Sequence, residues 1–183
     1  MPGEAASVIG PAARIRDLTI VAQPDIHRNG FDNILAQEML FQAGGPVLYM
    51  PYTFHGTFAA KRIGICWDGG RLAARALRDA MPLLGKADTL IVITVNEKDE
   101  VPPEASPTHL ARSLAQTGLP VRVVELDIDR SQIQSGILSL AADESLDLLI
   151  MGGYGHSRLK EMVLGGVTRE MLRSMTVPTL MSH

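Results

Sequence analysis

Cysteine is nearly missing from this chain: Cys66 is the only one in 183 residues. No internal disulfide can form, which fits a reducing cytoplasm. Aromatic residues make up 4% of the sequence, and Trp67 is the single tryptophan. No apolar run approaches the roughly 20 residues that a membrane-spanning helix needs. The opening Met1-Pro2-Gly3-Glu4-Ala5-Ala6 carries neither a basic leader nor an apolar signal core, so the expected address is cytoplasmic. Positive charge is not in excess either. The net charge is −3, which argues against a general nucleic-acid or membrane-surface role, because both need a basic face. His27, His55, His109 and His183 are scattered without metal-ligand spacing, and no cysteine partner supports a zinc site. Catalytic signatures are lacking as well: there is no Gly-x-x-x-x-Gly-Lys-Ser/Thr loop, no Gly-x-Ser-x-Gly elbow and no Cys-x-x-Cys.

What is present is a protein with 46% hydrophobic and 20% charged residues, the balance of a soluble globular domain. From residue 62 onward, strand-like and helix-like stretches alternate. Residues 62–67 form a short apolar run, and 70–84 place Leu72, Ala73, Ala76, Leu77, Ala80 and Leu84 at helical spacing. Residues 89–95 read as a strand buried on both faces, as parallel strands usually are. An acidic, proline-bearing and mobile loop is expected over 96–107. Then come a helix over 108–116, a strand over 121–126, a helix over 131–145 capped by Asp129 or Ser131, a strand over 146–151, a helix over 167–174 and a short strand over 178–181. This alternation predicts an α/β fold: a doubly wound, mostly parallel sheet with helices on both faces.

The densest information lies between the last two strands. Met151-Gly152-Gly153-Tyr154-Gly155-His156-Ser157-Arg158 leads to Gly165-Gly166-Val167-Thr168-Arg169. Glycine permits positive φ and lets a ligand approach without meeting a Cβ. A helix opening near Val167 offers unpaired N–H groups and a positive dipole end, which suits a phosphate. His156, Arg158, Lys160 and Arg169 add positive charge. On spacing alone, a phosphate cradle and a plain strand-to-helix turn remain equal readings.

A weak internal repeat precedes this domain. Asp17-Leu18-Thr19-Ile20-Val21 is similar to Asp147-Leu148-Leu149-Ile150-Met151, and Gly45-Pro46-Val47-Leu48-Tyr49-Met50 is similar to Val177-Pro178-Thr179-Leu180-Met181. An amphipathic helix over 32–42 lies between the early pair. Residues 1–13 are expected to be a flexible lead-in, 14–58 a partial, degenerate β-α-β segment, and 59–183 a complete domain.

With glycine spacing, strand order and repeat together, the chain resembles the universal stress protein family. The family's signature is Gly, two residues, Gly, nine residues, then Gly followed by Ser or Thr. Gly152, Gly155 and Gly165 match it in spacing, and Gly166 stands in place of the hydroxyl residue. Asp68, in Cys66-Trp67-Asp68-Gly69-Gly70, matches the aspartate that ends the family's first strand, while Gly70 replaces a common serine. The early segment looks like the last part of a preceding domain, as in tandem members. There Ala22-Gln23-Pro24-Asp25 replaces the glycine loop, so that half is not expected to hold a nucleotide.

The resemblance implies an adenine-nucleotide alpha-hydrolase-like fold with five parallel strands, and homodimers formed through the last strand, Pro178 to Met181. It also implies ATP or AMP, with or without Mg2+, beside the glycine loop. Asp68 would touch the ribose or a metal-phosphate, Val95 would lie against the adenine, and Gly152, Gly155, Gly165, Gly166 and Val167 would surround ribose and phosphates. His156 would pair with a phosphate or stand exposed. Thr168 would compensate in part for the hydroxyl missing at Gly166. Trp67 is expected to fill a sheet–helix interface rather than wall an adenine pocket, and Cys66 to be inert core. The implied role is a dimeric stress-response sensor or regulator, with slow ATP hydrolysis as the most an enzymatic reading allows. The alternatives are a scaffold that has lost its nucleotide and a nucleotide-dependent transferase. Whether the early repeat pairs with its own domain's last strand or with a neighbouring chain stays open in the sequence.

Overall fold

The computed structural model describes residues 2–23, 32–96, 101–154 and 166–183. Its elements run α1 (Pro2–Ala13), β1 (Thr19–Ala22), α2 (Asp32–Gln42), β2 (Val47–Met50), β3 (Arg62–Cys66), α3 (Arg71–Asp79), α4 (Met81–Leu84), β4 (Thr89–Val95), α5 (Pro107–Ala115), β5 (Val121–Leu126), α6 (Ile133–Asp143), β6 (Leu148–Gly152), α7 (Gly166–Ser174) and β7 (Thr179–Ser182). They build one seven-stranded sheet in the order β1-β2-β7-β6-β3-β4-β5.

The five strands from β3 onward are mutually parallel, the doubly wound arrangement expected from the alternation. Apolar residues fill both faces because each inner strand alternates between two cores. Along β4, Ile91 and Ile93 enter a cluster with α2, α6 and α7, while Leu90 and Val92 enter a second cluster with α3 and α5. β6 does the same, with Leu149 and Met151 on one side and Leu148 and Ile150 on the other. Asp147 fastens the start of β3, its carboxylate accepting the N–H groups of Lys61 and Arg62 at 3.0 Å.

Local boundaries differ from expectation in three places. The helix read over 70–84 breaks at Ala80 into α3 and α4, because Pro82 cannot donate to the preceding turn. The helix read over 131–145 begins as a short 3-10 turn over Arg130–Gln132, and α6 has no side-chain cap. Residues 101–106, expected as part of a mobile loop, hold a 3-10 turn over Pro103–Ala105, and Trp67 Nε1 donates to the Ala105 carbonyl at 2.7 Å.

The early segment joins this sheet through its own chain. β1 and β2 are parallel, and β2 runs antiparallel to β7 with Val47 opposite Met181, Leu48 opposite Leu180 and Tyr49 opposite Thr179. This corrects the expected dimer through Pro178 to Met181. Both edges of β7 are already paired, one with β6 and the other with β2, so its main chain has no row of groups left for a partner's strand.

The flexible lead-in is corrected too. Residues 2–13 form α1, which packs on α2 so closely that a Cβ at Gly10 would sit 2.8 Å from Gln42 Cβ. Ala13 is buried in the core beside α2, and Arg14 Nε donates to the Gln42 carbonyl at 3.1 Å.

The β1-α2-β2 and β6-α7-β7 units match in detail. Thr19 N–H donates to the Pro46 carbonyl as Leu149 N–H does to Pro178. Gln23 N–H donates to Met50 as Gly153 N–H does to Ser182. Leu48 and Leu180 face each other at the centre of the antiparallel pair, so the two units stand in a two-fold arrangement. α1 ends four residues before Asp17, and α6 ends four residues before Asp147, which extends the correspondence to a further helix.

Tyr49 holds the early unit together. Its ring is fully buried and its hydroxyl donates to the Ala36 carbonyl of α2 at 2.8 Å. Tyr49→Phe is expected to cost about 1 kcal/mol, the net worth of one buried hydrogen bond, read as a lower denaturant midpoint with an unchanged m-value. Burial raises the Tyr49 pKa well above that of a free tyrosine. The unfolded chain therefore releases this proton first as pH rises, so the contribution is complete below the ordinary tyrosine pKa and declines above it. Wild type is expected to lose more stability in alkali than Tyr49→Phe does.

Candidate functional site

The parallel strands bring their C-terminal ends to one edge of the sheet, and the chain order reverses there: β4 lies on one side of β3 and β6 on the other. Such a switch point is where doubly wound sheets bind ligands. Asp68 and Val95 each lie two residues beyond the matched pair Cys66 and Ile93. Gly152 lies two residues beyond Ile150, which is matched with Ile65. Asp68, Val95 and Gly152 thus gather at the ends of adjacent strands, and α7 begins at Gly166 after the connection from β6.

Asp68 is exposed, and its Oδ1 accepts the Gly70 N–H at 2.8 Å. Gly69 has φ +70, which favours glycine, and Val101 sits over it so closely that a Cβ would meet Val101 Cγ1 at 2.6 Å. A Cβ at Gly70 would lie 2.8 Å from Asp68 Oδ1. A serine there would displace the carboxylate from its present turn, so Gly70 and the conformation of Asp68 belong together.

Gly152 is a glycine for a reason other than ligand access. A Cβ would lie 2.8 Å from the Ala73 nitrogen and 2.8 Å from the Leu72 carbonyl carbon, so the first turn of α3 occupies the space above it. Gly153 faces the end of the Leu40 side chain of α2, which, unlike backbone, can shift. Gly166 is the contrast: it is exposed, and among the described residues nothing lies within 4 Å of a Cβ placed there.

Val95 and Val167 are partly buried and pack against the core. Thr168, expected to help hold a phosphate, is buried instead, and its Oγ1 accepts the Tyr154 N–H at 3.0 Å. That bond steadies Tyr154, whose φ is +51, a left-handed backbone uncommon for a residue with a Cβ. Gly155, His156 and Gly165 lie outside the described residues.

Several contributors were not visible in the sequence. Tyr154 Oη takes a hydrogen bond from Gln37 Nε2 of α2. Its ring lies 5.0 Å from that of Phe41, which meets the His183 ring edge-on at 4.7 Å. Burial raises the Tyr154 pKa, with Gln37 and Arg169 acting in the opposite direction. Asn96, at φ +50, ties the end of β4 to the segment after β5: its Nδ2 donates to the Ile128 carbonyl at 2.7 Å, and its Oδ1 accepts the Ile128 N–H at 2.9 Å. Only the asparagine after a strand was a local signal; the Gln37 and Phe41 contacts join residues more than a hundred positions apart.

Residues 59–183 match the profile of the Universal stress protein family. The chain belongs to this family. A universal stress protein of Synechocystis is 33% identical over 57 residues, covering 31% of this chain and 20% of the relative. One from Methanocaldococcus jannaschii is 30% identical over 73 residues, covering 39% of this chain and 43% of the relative. The chain thus spans less than half the length of the curated relatives it matches. Among solved structures, a universal stress protein from Archaeoglobus fulgidus, 18% identical, aligns with 97% of this chain and 66% of its own length at a TM-score of 0.74. The structure of the Methanocaldococcus jannaschii protein, 23% identical, covers 67% of this chain and 95% of its own at 0.54. Both share the α/β fold described above.

Within this universal stress domain, Trp67 is buried between sheet and helices, as expected. Burial, with Asp68 adding, pushes the Cys66 thiol up to about 12. Little thiolate is then present near neutral pH, so Cys66 is expected to resist a disulfide reagent in the native protein and react only after denaturation. Gly152→Ala is expected to cost about 1–3 kcal/mol as an overpacking change. Gly166→Ala should stay within about 1 kcal/mol of wild type in the same denaturant titration.

Proposed function

We propose that this chain binds an adenine nucleotide, ATP or AMP, at the switch point of its sheet, and acts in the cytoplasm as a stress-response sensor or regulator. The observation that carries this reading is the convergence of exposed Asp68, the end of β4 at Val95 and the N-terminus of α7 at one edge of the sheet. The residues present fit such a group. One Asp68 oxygen is held by Gly70, while the other has no partner among the described residues and is available to a ribose hydroxyl or to Mg2+. Among the described residues nothing fills the space at Gly166 near the first amides of α7, where the helix dipole favours an anion. The nucleotide itself brings the polyanionic phosphates and their divalent cation. Val95 would border the base, and Gly155, His156 and Gly165 complete the family's loop. Tyr154 links this loop to α2, which gives occupancy a route to the early unit.

That early unit is, in this reading, the remnant of a second universal stress domain whose glycine loop has been replaced by Ala22-Gln23-Pro24-Asp25. A second reading, a scaffold that has lost its nucleotide, draws on one observation: Gly166 has no hydroxyl to donate to a phosphate, and the nearby Thr168 hydroxyl is buried.

Calorimetric titration of ATP with Mg2+ into protein first checked for bound nucleotide tests the proposal. Micromolar binding is expected, weakened about tenfold by Asp68→Ala, as loss of a charged hydrogen-bond partner implies. Gly166→Ser is expected to tighten it by about 0.5–1.5 kcal/mol by restoring a neutral donor. Absence of heat up to millimolar ATP, together with no co-purified nucleotide, would overturn the nucleotide reading and leave the scaffold.

A further inference from the structure

The match between the two β-α-β units continues through their helices. Met39 O accepts the Ala43 N–H at 2.9 Å, and Met171 O accepts the Met175 N–H at 2.8 Å. On that alignment Ala36 of α2 corresponds to Thr168 of α7, Gln37 to Arg169 and Phe41 to Arg173. At the strand ends Gln23 corresponds to Gly153, so the counterpart of Tyr154 is Pro24.

At these positions the two units are not equivalent. The later unit carries a hydroxyl at Thr168, which accepts the Tyr154 N–H at 3.0 Å. The early unit has Ala36 and Pro24 instead, and these offer neither the hydroxyl nor the N–H. The side chains that reach across come from the early unit. Gln37 Nε2 donates to Tyr154 Oη, and the Phe41 ring lies 5.0 Å from the Tyr154 ring. Phe41 also meets the His183 ring edge-on at 4.7 Å, and His183 Nδ1 lies 3.1 Å from the Gly153 carbonyl oxygen. α2 is itself anchored: its Ala36 carbonyl accepts the buried Tyr49 hydroxyl, and the strand that carries Tyr49 is paired with β7. The relation therefore runs one way. The early unit supplies fixed groups, and the first residues of the glycine segment receive them.

Tyr154 has a φ of +51, a backbone region where glycine is the ordinary choice. Glycine there would relieve the backbone and would also remove the ring and hydroxyl by which α2 reaches the segment. We propose that α2 of the early unit is the positioning element of the glycine segment, with Tyr154 as the positioning residue it acts through. Gln37 and Phe41 fix the Tyr154 side chain, Thr168 fixes its N–H, and the segment leaves β6 in one set direction towards its ligand. The early unit, whose own connection lacks the glycine loop, thereby regulates the site of the later unit. That the ligand is a nucleotide rests on the reading above; the hold of α2 on Tyr154 does not.

Two readouts on the full chain test this. The first is hydrogen exchange at the Tyr154 amide without ligand, read by NMR; the second is calorimetric titration of ATP with Mg2+. Gln37→Leu and Tyr154→Phe are each expected to speed that exchange and weaken ATP about fivefold, as loss of one partly buried hydrogen bond implies. The double variant should be no worse than either single one, because both remove the same bond. Gln37→Glu, which can accept from the Tyr154 hydroxyl, should restore both readouts. Gln134→Leu, which removes a side-chain bond between α6 and α7, should leave both unchanged. Phe41→Ala, at a half-exposed position, should act in the same direction and covers a Gln37 variant that does not fold. Tyr154 exchange indifferent to Gln37→Leu and Phe41→Ala would overturn the proposal. So would ATP binding by wild type that those variants leave unaltered. Faster exchange in the variants of a protein that binds no ATP would sink the nucleotide reading and uphold the hold of α2 on the segment.

Discussion

The antiparallel pairing of β2 with β7 is the interaction on which the rest of this molecule depends. A strand at the edge of a sheet carries unpaired N–H and C=O groups, and leaving them bare invites association. Here the early segment takes that place, and Leu48, Tyr49, Thr179 and Leu180 are all buried along the seam. Because the pairing is centred on Leu48 and Leu180, it sets two similar units about a two-fold direction. It also consumes the edge through which two chains could otherwise have joined.

The same seam decides what surrounds the candidate site. With β2 beside β7, α2 and α7 lie next to each other on one face of the sheet, so Gln37 and Phe41 reach Tyr154 and His183. The start of the glycine segment is thereby held from two directions: Thr168 takes the Tyr154 N–H from below, and Gln37 meets its hydroxyl. Gly152 is enclosed by α3, and Gly153 faces the Leu40 side chain of α2. Of the glycines described around the segment, only Gly166 has nothing beside it among the described residues. The part of the segment that can face a ligand is therefore narrower than its glycine count suggests.

Much of this was legible along the chain. Strand–helix alternation from residue 62, the two-faced apolar pattern of 89–95 and the glycine spacing after Met151 rest on local periodicity and local backbone freedom, and these survive folding unchanged. The similarity of Asp17-Leu18-Thr19-Ile20-Val21 to Asp147-Leu148-Leu149-Ile150-Met151 also carried through, down to equivalent hydrogen bonds. Residues 2–13 were misread because Ala, Gly and Pro lack a helical apolar stripe; α1 forms because Gly10 lets it lie against α2. The burial of Thr168 and its bond from the Tyr154 N–H were not legible, because that contact joins the two ends of the glycine segment.

Sequence alone determined the fold class, the family and the neighbourhood of Asp68, Val95 and the glycine segment, since each follows from spacing within one strand–helix unit. Tertiary structure alone decided that β7 is paired on both sides, why Gly152 has no side chain, and that Thr168 is buried. Those outcomes depend on contacts between residues far apart in the chain, such as Tyr49 with Thr179 or Gln37 with Tyr154, and no local pattern encodes a distance between two elements that meet only after folding.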